Sequence, residues 1–288
     1  MDMNSLLQQY QRDGYVVVPN LLSAGELQTL RAITDEVSAS AIGKSEDDSV
    51  FDFEDGSTPE APQIQRIKKP HRVHPYFFDL ARHPGILGFI QAVCGQGVRL
   101  SHSKMNMKAA RVGSPLEWHQ DWAFAPHTNM STCVASVLLD DVSLENGAMQ
   151  VLPGSHLGPL LEHHNERNNF VGAVDVVRDG LDLSQAQALT GPAGTVSFHH
   201  PMTLHGSGAN RSGKPRRILF LEYAASDAFP LFYQVDWAEY NSRIVAGPET
   251  SAARCEPNPI KLPFPAEAGI SIYKSQAQVS SRYFEKVA

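Results

Sequence analysis

From residue 98 onward the chain is a succession of short alternating runs cut by Gly, Pro, Asn and Asp, at residues 98–109, 116–122, 132–139, 147–152, 194–198, 203–207 and 216–223. Alternation with period two puts successive side chains on opposite faces of a strand. Many short strands separated by turn signals predict a β-sandwich or barrel. The N-terminal third reads differently. Residues 5–12 predict a short helix, and residues 14–19 (GYVVVP) a strand stopped by Pro19. Ser23 with Glu26 forms an S-x-x-E capping box, which starts a helix at Ala24 that runs to about Ala39. Pro84 and Gly95 bracket another helix, in which Ile86, Ile90 and Val93 keep helical spacing. These helices cannot bury their apolar faces alone, so they are expected on the outside of the β-core. The expected class is mainly β with flanking α-helices. Residues 1–97 form a mostly helical part packed on the barrel, 98–225 the core and 226–288 a wrapping segment, all in one domain of residues 1–288. Residues 43–62 are acidic and turn-rich and predict a surface loop; 156–190 read as polar loop; 230–288, with six prolines, as irregular wrapping with one helix.

Composition narrows the function classes. Lys and Arg number 24 against 31 Asp and Glu, a net charge of −7, which makes a poor general binder of nucleic acid or anionic membrane. No apolar run approaches the roughly 18–20 residues of a membrane span. The start, MDMNSLLQQYQRDGY, lacks a basic region followed by an apolar stretch, so no signal peptide is expected. Cys94, Cys133 and Cys255 lie far apart, which argues against a disulfide framework or a zinc ribbon. A cytoplasmic protein is expected.

The informative segment is Trp118-His119-Gln120-Asp121-Trp122. On a strand, His119 and Asp121 point to one side, between two tryptophans that face the other. An imidazole and a carboxylate side by side are two ligands of a 2-His-1-carboxylate site, which leaves open positions on ferrous iron. A second histidine must come from another strand. His205 fits best among the 12 histidines, because it follows a β-like run and precedes the turn Gly206-Ser207-Gly208. His199 and His200 remain alternatives. Eleven residues past His205, Arg216 opens the run Arg216-Arg217-Ile218-Leu219, where an arginine fork can hold a carboxylate. Arg217 competes with it, and the two point to opposite faces of a strand.

H-x-D, a distal H-G-S-G-x-N and an arginine eleven residues past that histidine resemble the phytanoyl-CoA dioxygenase family of iron(II)/2-oxoglutarate oxygenases. Glu145-Asn146-Gly147 and Pro153-Gly154-Ser155-His156 match its E-N-G and P-G-S-H stretch, and Arg12-Asp13-Gly14-Tyr15 its opening. The resemblance covers roughly residues 5–225. It implies a double-stranded β-helix (a cupin-like jelly roll), His119, Asp121 and His205 as iron ligands, and Arg216 and Ser207 on the distal carboxylate of 2-oxoglutarate. It also implies an enzyme that converts 2-oxoglutarate and O2 to succinate and CO2 while oxidising an unactivated C–H of a small molecule. Aspartate at 121, where related halogenases carry a small residue, favours hydroxylation, desaturation or cyclisation. Two other readings compete: a cupin-type metal enzyme that does not use 2-oxoglutarate, and a non-catalytic metal-binding module. Arg216 with Ser207 argues against the first, and the intact ligand set against the second.

Further candidates come from polar faces. On the 98–108 run His102, Lys104, Asn106 and Lys108 share one side, opposite Met105 and Met107. That face points into the barrel, with His102 and Asn106 favoured for 2-oxoglutarate, or it is the solvated face of an edge strand. His127, just past the H-x-D segment, touches substrate or is a turn histidine; His163 and His164 read as solvated. Residues 66–74 (RIKKPHRVH) are the densest basic stretch of the chain. Either Lys68, Lys69, His71 and Arg72 meet an anionic group on the substrate, or the stretch is a solvated turn whose charges balance residues 46–55.

Overall fold

The computed structural model describes residues 2–232, 234–261 and 270–287. Its first third holds α1 (Met3–Asp13), β1 (Tyr15–Val18), α2 (Ala24–Ala39), β2 (Phe51–Phe53), β3 (Ile64–Lys68), α3 (Pro70–Val73), α4 (Pro75–Leu80) and α5 (Pro84–Cys94). Then come β4 (Val98–Lys108), β5 (Leu116–His119), β6 (Thr132–Leu138), β7 (Met149–Val151), β8 (Gln187–Ala188), β9 (Val196–His199), β10 (His205–Ser207) and β11 (Arg216–Ala225). The chain closes with α6 (Trp237–Ser242), β12 (Ile244–Ala246) and α7 (Ile272–Gln276). The strands form two antiparallel sheets among the described residues: β1-β9-β6-β11-β4-β3-β2, with β12 also on β4, and β5-β10-β7-β8. This is the jelly-roll core.

Alternation sorts the side chains as the pattern requires. Met105, Ala135, Val137, Leu219 and Leu221 meet α1, α2 and α5 in the largest apolar cluster, on the outer face of the large sheet. Val134, Leu138, Ile218 and Phe220 point the other way and pack on Met149 and Val151 of the small sheet. β4 lies inside the sheet, between β11 and β3, so its polar side faces the space between the sheets rather than solvent. Helix α2 keeps its expected bounds because both halves of the Ser23–Glu26 capping box form.

Four expectations need correction. The 116–122 run is a strand only to His119, and Asp121 opens a 3-10 turn over Asp121–Ala123. The Gln120 amide pins that turn, donating to Pro159 O (3.1 Å) and Met202 O (3.0 Å) and accepting from Leu161 N (2.8 Å). The acidic 43–62 loop contains β2, with Phe51, Asp52, Phe53 and Glu54 all buried. Its acids serve the backbone: Asp48 accepts from Val50 and Phe51, and Asp47 from Phe53. His163 is 1% exposed, not solvated, because its Nε2 accepts the Gln120 N–H (2.9 Å), and His164 is buried as well. Among its described residues the tail carries two short helices and the strand β12 where one helix was expected.

The RDG and PGSH motifs meet. The Gly14 carbonyl accepts His200 N (2.8 Å) and Thr203 Oγ1 (2.9 Å), while Gly154 N donates to Asp13 O (2.8 Å). Helix α1 is thereby tied to the residues leading into β10. Gly14 has φ +81°, and a Cβ there would sit 2.5 Å from both His156 Nδ1 and Thr203 Oγ1. Gly14→Ala should therefore cost on the order of 2–4 kcal/mol, left-handed strain plus overpacking. Chemical denaturation checks this; a loss below about 0.5 kcal/mol, the range of ordinary surface substitutions, would mean the contact is easily relieved.

Candidate metal centre

β5 ends and β10 begins at one place, so His119 and His205 are register partners with ring centroids 4.1 Å apart. Their Nδ1 atoms are occupied by backbone carbonyls, His119 by Glu117 O (2.7 Å) and His205 by Thr203 O (2.9 Å). A carbonyl only accepts, so each Nδ1 carries the hydrogen and each Nε2 keeps its lone pair. Both Nε2 atoms face the Asp121 carboxylate, at 3.8 and 3.7 Å. One ligating atom from each of the three lies within 4.8 Å of the others. Two neutral imidazoles and one carboxylate, preset in this way, fit ferrous iron.

The charge states agree. Burial, then the neighbouring His205, holds His119 well below the usual imidazole value, and burial brings His205 down to about 4. Asp121 is pushed up by burial, but Lys104, His205 and His199 outweigh it and hold the carboxyl well below its usual range. Lys104 Nζ lies 3.6 Å from Asp121 and 3.0 Å from Glu222. His199, an alternative ligand by sequence, instead donates from Nε2 to Asp121 Oδ2 (3.1 Å). His200 turns away, its Nδ1 accepting from Met202 N. The partners of Asp121 were thus only half visible in the sequence. Lys104 lay on the noted polar face of β4 and His199 among the alternative ligands, but nothing local signalled that His199 would bond the carboxylate or that Glu222 would share Lys104 with it.

A slot runs between the sheets from His119 and His205 to Arg216, with Lys104, Asn106, Ser207 and Met149 on its walls. Arg216 is 2% exposed, donates from Nη2 to Gly147 O, and has a buried Nε without a partner. Arg217 points away into Asp140 (2.8 Å) and Asp35 (2.7 Å). Asn106 shares the slot, but His102 does not: it faces a second, larger cavity. That cavity, about 660 Å³, reaches Asp121 and Lys104 at one side. Lys69, His71, Arg72 and His127 line it, whereas Lys68 does not. Lys68 is drawn off by the buried Asp52 (2.8 Å) on the neighbouring strand β2.

A sequence profile of the phytanoyl-CoA dioxygenase family matches residues 10–218. The chain belongs to the phytanoyl-CoA dioxygenase family. A probable alpha-ketoglutarate-dependent hypophosphite dioxygenase of Stutzerimonas stutzeri is 35% identical to it over 280 residues, 96% of this chain and 98% of the relative. Among solved structures, EctD from S. alaskensis with bound Fe gives a TM-score of 0.67 at 24% identity, covering 90% of this chain and 88% of that one. SnoN of nogalamycin biosynthesis, in complex with Fe3+, alpha ketoglutarate and nogalamycin RO, gives 0.62 at 24% identity, covering 91% and 95%. These two share the fold. This family member is a non-haem iron, 2-oxoglutarate-dependent dioxygenase that acts on a small molecule with O2. No helix among its described residues is long and apolar enough to cross a membrane.

Proposed function

We propose that His119, Asp121 and His205 hold the iron, that Arg216, Ser207 and Asn106 hold 2-oxoglutarate in the slot, and that the large cavity receives an anionic metabolite. The observation that carries the ligand assignment is the pair of carbonyl-clamped histidines whose free nitrogens converge on one buried carboxylate. When bound, the iron and 2-oxoglutarate supply oxidation by O2 with release of succinate and CO2. The chain's own part is positional. Neutral imidazoles bind without losing a proton. Lys104 and His199 hold the Asp121 carboxylate in place. We take residues 1–288 as one oxygenase domain, in a reducing, cytoplasmic setting that suits its three free cysteines.

The charge balance of the cavity supports the anionic reading. Glu239 is engaged by Arg72 and Arg243, and Glu222 with Asp121 by Lys104. Arg66 bonds the neutral Asn106 (3.1 Å) and interacts with Tyr273, over whose ring it lies, and among the described residues neither Arg66 nor Lys69 has an ion pair. Lys69 is also held at φ +47°, a conformation that costs a non-glycine residue. Burial brings His71 to about 3 and His102 to about 4, so both offer neutral ring nitrogens to the same region. The remaining acid of the lining, Asp236, accepts the Glu239 N–H, so five cations (Arg66, Lys69, Arg72, Lys104, Arg243) face four acids (Asp121, Glu222, Asp236, Glu239), a positive surplus that favours an anion. A cavity of about 660 Å³ suits a metabolite rather than a triatomic-scale oxyanion such as hypophosphite.

Succinate release across a panel of carboxylates, phosphonates and hypophosphite tests this directly; hypophosphite as the best substrate, or a neutral one, would overturn it. Lys69→Met should raise the substrate KM about three- to tenfold and reduce its salt dependence, with 2-oxoglutarate turnover in the absence of substrate intact. Lys68→Met should leave that KM in place. An unmoved KM in the Lys69 variant would return the basic stretch to surface charge.

A further inference from the structure

Lys108 ends β4 opposite Arg216 on β11 and is 2% exposed. Its Nζ lies 2.8 Å from Ser207 Oγ and 3.3 Å from Ser207 O, and also bonds Gly208 O. The three hydrogens of an ammonium match these three oxygens, and an anion bound beside Lys108 and Arg216 favours that charged form. The loops around it come close: a Cβ at Gly113 would sit 2.5 Å from Lys108 Cβ and 2.7 Å from its Cα, and Gly147, held at φ +83°, lies against Gly208 O (2.7 Å from a Cβ) and Lys108 Cδ (3.0 Å). Among the described residues neither Lys108 nor Arg216 has a carboxylate partner; their bonds run to neutral oxygens. Two buried, mutually repelling cations are costly unless an anion joins them. Burial, and then Arg216, pull the Lys108 pKa well below its usual value.

Ser207 stands between Lys108 and the slot, on whose wall it lies; Lys108 itself is behind that wall. With a Lys108 hydrogen on its oxygen, the Ser207 hydroxyl is left to donate its own hydrogen toward the slot. We propose that Lys108 is a positioning residue for 2-oxoglutarate: it aims the Ser207 hydroxyl at the distal carboxylate that Arg216 meets. This rests on the slot being the 2-oxoglutarate site. It explains why a lysine is buried where no carboxylate bonds it among the described residues.

The test is calorimetric titration of the manganese(II)-loaded protein with 2-oxoglutarate and with 2-oxopentanoate, which has a methyl group in place of the distal carboxylate. Lys108→Met should weaken 2-oxoglutarate at least tenfold and leave 2-oxopentanoate within twofold. The Ser207 and Gly208 carbonyls lose their donor, so a moderate fall in melting temperature is expected, and the unchanged 2-oxopentanoate affinity is what shows that the site stays folded. In a Ser207→Ala background the Lys108→Met change should lose most of its effect, since the hydroxyl it aims is gone. Unchanged 2-oxoglutarate affinity, equal weakening of both acids, or full additivity with Ser207→Ala would each overturn the proposal. Arg216→Met run alongside separates the two levels: if it too leaves 2-oxoglutarate affinity unchanged, the slot reading itself fails.

Discussion

His119→Ala and His205→Ala will each abolish iron(II) binding at micromolar metal, and turnover with it. Each leaves one imidazole and one carboxylate, a pair that holds ferrous iron poorly. Removing even an outer partner of a ligand typically costs 10–100-fold in metal affinity, so losing the ligand itself should exceed about 100-fold. The fold should survive. Neither histidine belongs to the apolar clusters that join helices to sheet and sheet to sheet. Their side chains are buried, so each variant leaves a void, but a void lined by polar groups that water can fill. Anaerobic iron titration, with circular dichroism and melting temperature as controls on folding, separates ligand loss from collapse. Iron binding of wild-type strength in a well-folded His205→Ala protein would take that residue out of the centre and make His199, whose Nε2 already faces Asp121, the replacement to examine.

Much of this was legible in the chain because local chemistry decided it. The capping box sets the start of α2, alternation sets the faces of β4, β6 and β11, and the H-x-D spacing marks the centre. What was not legible is long-range. Asp121 reaches the histidines from a turn, not from a strand face, because the Gln120 amide is tied to Pro159 and Met202, far away in sequence. The acidic run 43–62 read as a surface loop, yet Asp47 and Asp48 cap backbone N–H groups and Asp52, buried, balances the charge of Lys68. The same pairing removes Lys68 from the large cavity, while Lys69, one residue on, is turned into it by a left-handed backbone. His163 looked like a loop histidine because its partner, the Gln120 N–H, is 43 positions away.

Arg216 and Arg217 are adjacent and identical in kind, so the substitution that tells them apart carries the 2-oxoglutarate assignment. Arg216 lies fully within the core, and burial lowers its pKa to about 10, still charged near neutral pH. Its fork is largely uncommitted, with one bond to Gly147 O and Nε without a partner. Arg217 is the reverse case, raised by its bonds to Asp140 and held by Asp35 as well. Arg216→Met should therefore weaken 2-oxoglutarate by about 2–5 kcal/mol, the usual cost of removing one partner of a desolvated charge pair. That corresponds to roughly 30-fold to several thousand-fold in the concentration needed. Iron affinity should change little, since Arg216 is not among the three residues whose ligating atoms converge. Arg217→Met should leave 2-oxoglutarate binding alone and cost about 1 kcal/mol of stability through the loss of its two part-exposed acid partners. Titration with 2-oxoglutarate and denaturant melts on both variants give a crossed pattern if the two roles are as described. The opposite crossing, with Arg217 governing 2-oxoglutarate and Arg216 only stability, would move the carboxylate site to the other face of β11.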